Sequence, residues 1–189
     1  MVEGSVDRAF LRGLKERYCR TAQLVEGIYR GRSGATIRRE LTIELPLLFK
    51  KEDCVFVVVL TDSNDQDWMT IFNREFNKVP VDLRYKTIYG VAQRNIECWL
   101  CLDRDALARR LNCEPQELDV PDPSRVVKRR FGFVRDPFEN EQAEHLVSDF
   151  VSDSAYHTLT NRSSSFKHFW NQVREKAALA NCQLSGSLD

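Results

Sequence analysis

The sequence predicts an α/β fold, a parallel sheet flanked by helices, followed by a mostly helical C-terminal extension. Three observations predict it. Short β-branched runs alternate with stretches of helical periodicity up to about residue 112. One of the runs, CVFVVVL at 54–60, is apolar throughout, the pattern of a strand covered on both faces. Beyond residue 112 the alternation stops, and a proline- and acid-rich segment leads into helical patterns only. Residues 1–112 are therefore expected to form one α/β unit, with 113–189 as a linker and helical extension packed on it.

The elements follow in order. Met1 and Val2 alone precede Glu3, so a first strand is barely present. Val6, Phe10, Leu14 and Tyr18 share one face of a helix that starts after Ser5, a plausible N-cap. TAQLVEGIY at 21–29 reads as a strand, broken by GRSG at 31–34. Ile37, Leu41, Leu45 and Leu48 mark a second helix with Pro46 as an obstacle near its end. The strand at 54–61 leads into an acidic loop, DSNDQDW at 62–68, and a helix that closes before Pro80. LRYKTIYGVA at 83–92 is the next strand, and 94–111 is read as one helix. Helices are expected at about 138–152 and 163–180, with a frayed tail.

Lys and Arg number 28, as do Asp and Glu, so bulk charge predicts no polyanion partner, and nucleic-acid binding would have to come from local patches. No apolar run reaches the length of a membrane span and no signal sequence opens the chain, which predicts a cytoplasmic protein with no membrane partner. Six cysteines are scattered, several in apolar contexts that suit reduced thiols. Cys98 and Cys101 form a C-x-x-C inside an apolar segment with no second pair or nearby histidine, and a packing role is expected for them.

The strongest chemical signal is a buried strand ending in acids. In open α/β sheets the strand C-termini form the ligand crevice. Asp62, Asp65 and Asp67 crowd there with Asn64 among them. At ~4 Å and an effective dielectric near 20, each like-charge pair costs on the order of 4 kcal/mol. A divalent cation removes that cost, and oxygen-only ligands suit Mg2+ or Mn2+. A solvated acidic turn capping the next helix explains the same residues. Val-Glu-Gly occurs twice, at 2–4 and 25–27, so Glu3 and Glu26 both stand at the end of an apolar run where a metal ligand is expected.

A glutamate closing strand one, one intervening strand, and an aspartate cluster closing strand three resembles the TOPRIM fold of topoisomerases, primases and OLD-type nucleases. VEGSVDRAFLRGL resembles that family's first strand and helix. RNIECWLCLD at 94–103 and SSSFKHFWNQVRE near the end resemble helices of small stand-alone TOPRIM proteins from bacterial defence loci. The resemblance spans nearly the whole chain through short motifs, and it selects Glu3 over Glu26, since only Glu3 has one strand between itself and Asp62. It departs from the family at Asn64, which stands where the second acid of the D-x-D motif belongs.

The resemblance implies a catalytic domain over residues 1–112 and metal-dependent hydrolysis of phosphodiesters in DNA or RNA. Glu3 and Asp62 would anchor Mg2+ or Mn2+, Asn64, Asp65 and Asp67 would be further or water-mediated ligands, and Glu97 a second-metal ligand or general base. Its own nucleic-acid contacts are expected at Arg30 and Arg32, and at the basic run Arg125, Lys128, Arg129, Arg130 and Arg135, with Phe131 and Phe133 for base stacking. An amphipathic edge strand with a solvated face explains that run equally well. The three histidines are expected at the surface, and no tyrosine stands out as a topoisomerase nucleophile. Family context implies the toxic effector of an anti-phage system, controlled by an ABC- or SMC-like ATPase, with a homo-oligomer compatible. The alternative is a TOPRIM subunit of weak or no activity that serves structure or regulation in an ATPase complex.

Overall fold

The computed structural model describes residues 1–23, 34–50, 54–136, 139–177 and 182. At its centre two parallel strands, β1 (Val57–Asp62) and β2 (Thr87–Ala92), pair from Val57 opposite Thr87 to Asp62 opposite Ala92. Val2 bridges Leu60 on the other side of β1, also in parallel. There Met1 N donates to Val58 O at 2.7 Å and Leu60 N donates to Met1 O at 3.0 Å. β1 thus has backbone neighbours on both sides, as its unbroken apolar character requires. The expected strand at 21–29 falls outside the described residues from 24 onward, and Glu26, Arg30 and Arg32 with it. The fold is therefore mixed α/β with a small parallel sheet, and helices make up most of the described chain.

Eight α-helices surround the sheet among the described residues. They are α1 (Ser5–Tyr18), α2 (Gly34–Phe49), α3 (Trp68–Phe76), α4 (Ile96–Leu100), α5 (Arg104–Leu111), α6 (Ser124–Phe131), α7 (Glu141–Asp153) and α8 (Ser164–Ala177). Side chains alternate across the strands as the two-residue period demands. Val57, Val59, Tyr89 and Val91 join Leu41, Leu45, Trp68 and Ile71 of α2 and α3 in one core. Leu60, Ile88 and Ala92 join a larger core built from α1 and α4 to α8, in which Phe166 meets Phe10, Trp99 and Tyr156 edge to face and Phe169 lies tilted against Trp99 and Phe166. Gly90 lets α8 lie close on β2, for a Cβ there would stand 2.7 Å from the Phe169 ring. The outer edge of β2 is closed by a side chain: Tyr89 N donates to Gln172 Oε1 at 3.0 Å and Gln172 Nε2 donates to Tyr89 O at 2.9 Å.

α7 packs along α1 at Gly13, where a Cβ would come within 2.5 Å of Ser148 O. Arg8 and Arg12 both reach Glu144 across that contact. Cys19 and Cys182 are joined as a disulfide, with Cα atoms 4.7 Å apart, which departs from the expectation of reduced cysteines. A separation of 163 residues leaves no mark in local sequence. Cys98, Cys101 and Cys113 are free thiols.

Three expectations need correction. The strand expected at 83–92 begins at 87, because Val81–Lys86 coil into a 3-10 helix. Arg84 fixes that coil by donating to Val79 O at 3.1 Å and Asn77 O at 2.9 Å. The helix expected over 94–111 is broken at Cys101–Asp103, where Asp103 Oδ1 accepts from Ala106 N at 3.3 Å and restarts the helix. Tyr156 and Arg162 take up the carbonyls of Leu100 and Leu102 beside the break. The basic run is a helix, α6, and not an edge strand: Val127 and Phe131 sit one turn apart in the core, and Gly132 ends the helix at φ 86°. Phe131 is buried and Phe133 packs against the same core, so neither is presented for stacking on bases.

Candidate functional site

The C-terminal ends of the strands bring three sequence-distant segments together. Glu3 lies immediately after the Val2 bridge, and its Oε1 accepts the amide of Asp62 at 2.9 Å. Asp62 is the last residue of β1, and its Oδ1 accepts from Ile96 N at 3.1 Å, at the start of α4. Asn95 caps α4 through Cys98 N, which leaves Glu97 in the first turn, 1% exposed.

A fourth carboxylate joins them that sequence reading missed. Asp7 is in the first turn of α1 and 4% exposed. Its Oδ2 accepts from Gly4 N at 2.9 Å, the helix-capping geometry of an acid at the third helical position. Its Oδ1 is buried with no hydrogen-bond partner. In the sequence Asp7 is an acid one helical turn beyond Glu3, a position too ordinary to single it out.

These groups act on one another. Burial pushes the Asp7 carboxyl up to about 8, with Glu97 and then Glu3 adding to the rise. Burial pushes Asp62 up to about 9, with Asp7, Glu3 and Glu97 adding and Lys128 opposing. Lys128, on α6, places Nζ 2.9 Å from Glu97 Oε1 as a charge contact without hydrogen-bond alignment. Burial disfavours its charge, yet Glu97 foremost, then Asp62 and Asp7, hold it above the ordinary lysine value.

The remaining predicted residues lie elsewhere. Asn64 is exposed, at φ 52°, with its amide donating to Arg94 O at 2.8 Å. Arg94, also left-handed at φ 66°, donates its own amide to Ser63 Oγ at 2.8 Å and its guanidinium to Asp65 at 2.9 Å. Asp65 is 89% exposed. Asp67 caps α3, accepting from Thr70 N and Oγ1 at 2.8 Å, and those bonds lower its pKa. The acidic loop thus splits, with Asp62 facing the cluster and Asn64, Asp65 and Asp67 facing solvent. On α6, Arg125 and Arg129 are exposed one turn apart, and Arg130 pairs with Glu117 at 2.8 Å. His145 is exposed, whereas His157 meets the Tyr18 hydroxyl at 2.9 Å and His168 packs against Trp68 and Phe72. Tyr156 is fully buried.

Among the described residues, no three His, Cys, Asp or Glu side chains are grouped tightly enough to hold a metal ion as they stand. In kind, the donors fit a hard divalent cation: they are all carboxylate oxygens, one buried oxygen has no partner, and the group repels itself. Among the described residues no helix is long and apolar enough to cross a membrane. No protein-family model, curated protein or solved structure matches the chain.

Proposed function

We propose that this chain is a metal-dependent nuclease of the TOPRIM kind, hydrolysing phosphodiester bonds in DNA or RNA. The observation that carries the reading is the convergence of Glu3 after the Val2 bridge, Asp7 of α1, Asp62 of β1 and Glu97 of α4 into one self-repelling, largely buried group. Those four residues would hold Mg2+ or Mn2+. The bound ion supplies Lewis acidity at a phosphoryl oxygen and acidifies an attacking water. The chain's own part is positional. Glu3 is oriented by the Asp62 amide and Asp62 by the Ile96 amide, so both side chains are held by backbone. Arg125 and Arg129 offer exposed cations to the phosphate backbone on the helix that carries Lys128. Control by an ATPase partner and a role as the toxic effector of a defence system extend this reading and rest on the family resemblance alone.

One observation favours a second reading. Asn64, Asp65 and Asp67 face away from Asp62, and the acids do not yet surround a single point. That arrangement favours weak or no activity, and service in an ATPase complex would then rest on the family resemblance. Incubation of plasmid DNA and of tRNA with the protein and Mg2+ or Mn2+, alongside Asp62→Ala, separates the two. Metal-dependent cleavage lost in the variant supports the nuclease, and equal products from both proteins support the subunit.

A further inference from the structure

We propose that the Lys128 ammonium is a resident counter-cation of the acid cluster, which a divalent ion must displace in order to bind. The inference rests on reading that cluster as a metal site, and it concerns how the site is loaded.

Three observations meet here. Glu97 is 1% exposed, and Lys128 Nζ stands 2.9 Å from its carboxylate. The buried oxygen Asp7 Oδ1 has no partner, so the cluster keeps an unused ligand. Among the described residues no three acids surround one point, and Glu97 is turned toward the Lys128 ammonium.

A lysine suits this role better than an arginine. Its charge is a single point on a flexible stem, with no planar fork locking it to a carboxylate. The contact with Glu97 is one of charge rather than of aligned hydrogen bonding, and the Lys128 side chain is 49% exposed. It can therefore leave for solvent by changing rotamer, while Val127 and Phe131 keep α6 seated in the core. It cannot remain, because an ammonium and a divalent ion on the same carboxylates repel strongly at contact distance. Without the metal, Lys128 lowers the cost of holding four carboxylates together; with it, the metal takes over that task. Arg130, two positions on, is already committed to Glu117.

The test is Mn2+ binding to the intact chain, followed by the electron paramagnetic resonance of free Mn2+ at low ionic strength. Wild type, Lys128→Gln, Lys128→Arg and Asp62→Asn are compared. Lys128→Gln is expected to bind Mn2+ roughly tenfold more tightly or better, since one competing charge is gone. Lys128→Arg keeps the charge and is expected to bind no more tightly than wild type. Thermal melts with and without Mn2+ give a second readout, in which Lys128→Gln gains more from the ion than wild type does. Unchanged or weaker binding in Lys128→Gln overturns the proposal, as does tightening in Lys128→Arg equal to that in Lys128→Gln. Mn2+ binding that is indifferent to Asp62→Asn removes the metal site itself, whereas binding that needs Asp62 but ignores Lys128 removes only the exchange.

Discussion

Glu3 and Asp62, 59 positions apart, are joined at 2.9 Å through the Glu3 carboxylate and the Asp62 amide. The bond works in both directions. It fixes the acid after the Val2 bridge on the end of β1, and it tethers the start of α1, with Asp7, beside the same strand end. Asp7 and Asp62 then become the two carboxyls that burial and mutual repulsion hold protonated near neutral pH.

The first prediction is a stability that falls with pH in the absence of metal. The folded-state values of Asp7 and Asp62, about 8 and about 9, lie above the unfolded carboxyl value. The folded protein therefore binds the extra protons. The stability this gives is complete below the unfolded value and is lost as pH rises through the folded ones. Urea unfolding between about pH 5 and pH 9 should show a decline on the order of a few kcal/mol. Asp7→Asn should flatten the profile. Adding Mg2+ near neutral pH should release protons, seen as a buffer-dependent heat of binding.

Asp62→Ala should leave the protein folded, since removing a carboxyl that is costly to bury offsets the lost bond to Ile96 N. Cleavage should fall by roughly a hundredfold or more. Circular dichroism with a nuclease assay on one preparation checks both halves.

Asn64→Asp should leave Mn2+ affinity unchanged, because Asn64 is exposed and held in a left-handed turn against Arg94. Restoration of the D-x-D pattern followed by a marked rise in affinity would show that the loop refolds around the ion.

The packing of α8 on β2 predicts two sensitive positions. Gly90→Ala drives a methyl into Phe169 and Leu60, at 2.7 and 2.8 Å, and should cost about 1–3 kcal/mol. Gln172→Ala removes both bonds to Tyr89, should cost about 1–2 kcal/mol, and should promote self-association through the uncovered edge. Chemical denaturation and light scattering read these out.

Cys182→Ser, or reductant on the native chain, should lower stability by about 2–4 kcal/mol through loss of the tie to Cys19. Denaturation curves with and without reductant should coincide only for the variant.

What could be read from the sequence follows from which forces are local. The face Val6, Phe10, Leu14 and Tyr18 forms α1, and the apolar run before Asp62 forms β1, because periodicity and β-branching act within a few residues. Glu3, Asp62 and Glu97 were likewise legible, since each follows or opens an element. Asp7 was not, for an acid in a first helical turn is ordinary until burial leaves one of its oxygens unpartnered. The break at Cys101–Asp103 depends on Tyr156 and Arg162, more than fifty positions away, and the turning of Lys128 toward Glu97 depends on how α6 meets α4. Neither contact has a local signature.

The close approach of α1 and α7 at Gly13 has a consequence for biosynthesis. Asp7 is carried by α1, and one side of that helix finds its cover only in Glu141–Asp153, more than a hundred positions later in the chain. A ribosome adds about 5–20 residues each second, so seconds separate the two. Throughout that interval the nascent chain holds Glu3, Asp7 and then Asp62 without the support that aligns them. Glu3, Asp7 and Asp62 therefore precede by many seconds of synthesis the helix that covers α1, and the cluster gains its full support only after Glu141–Asp153 is made.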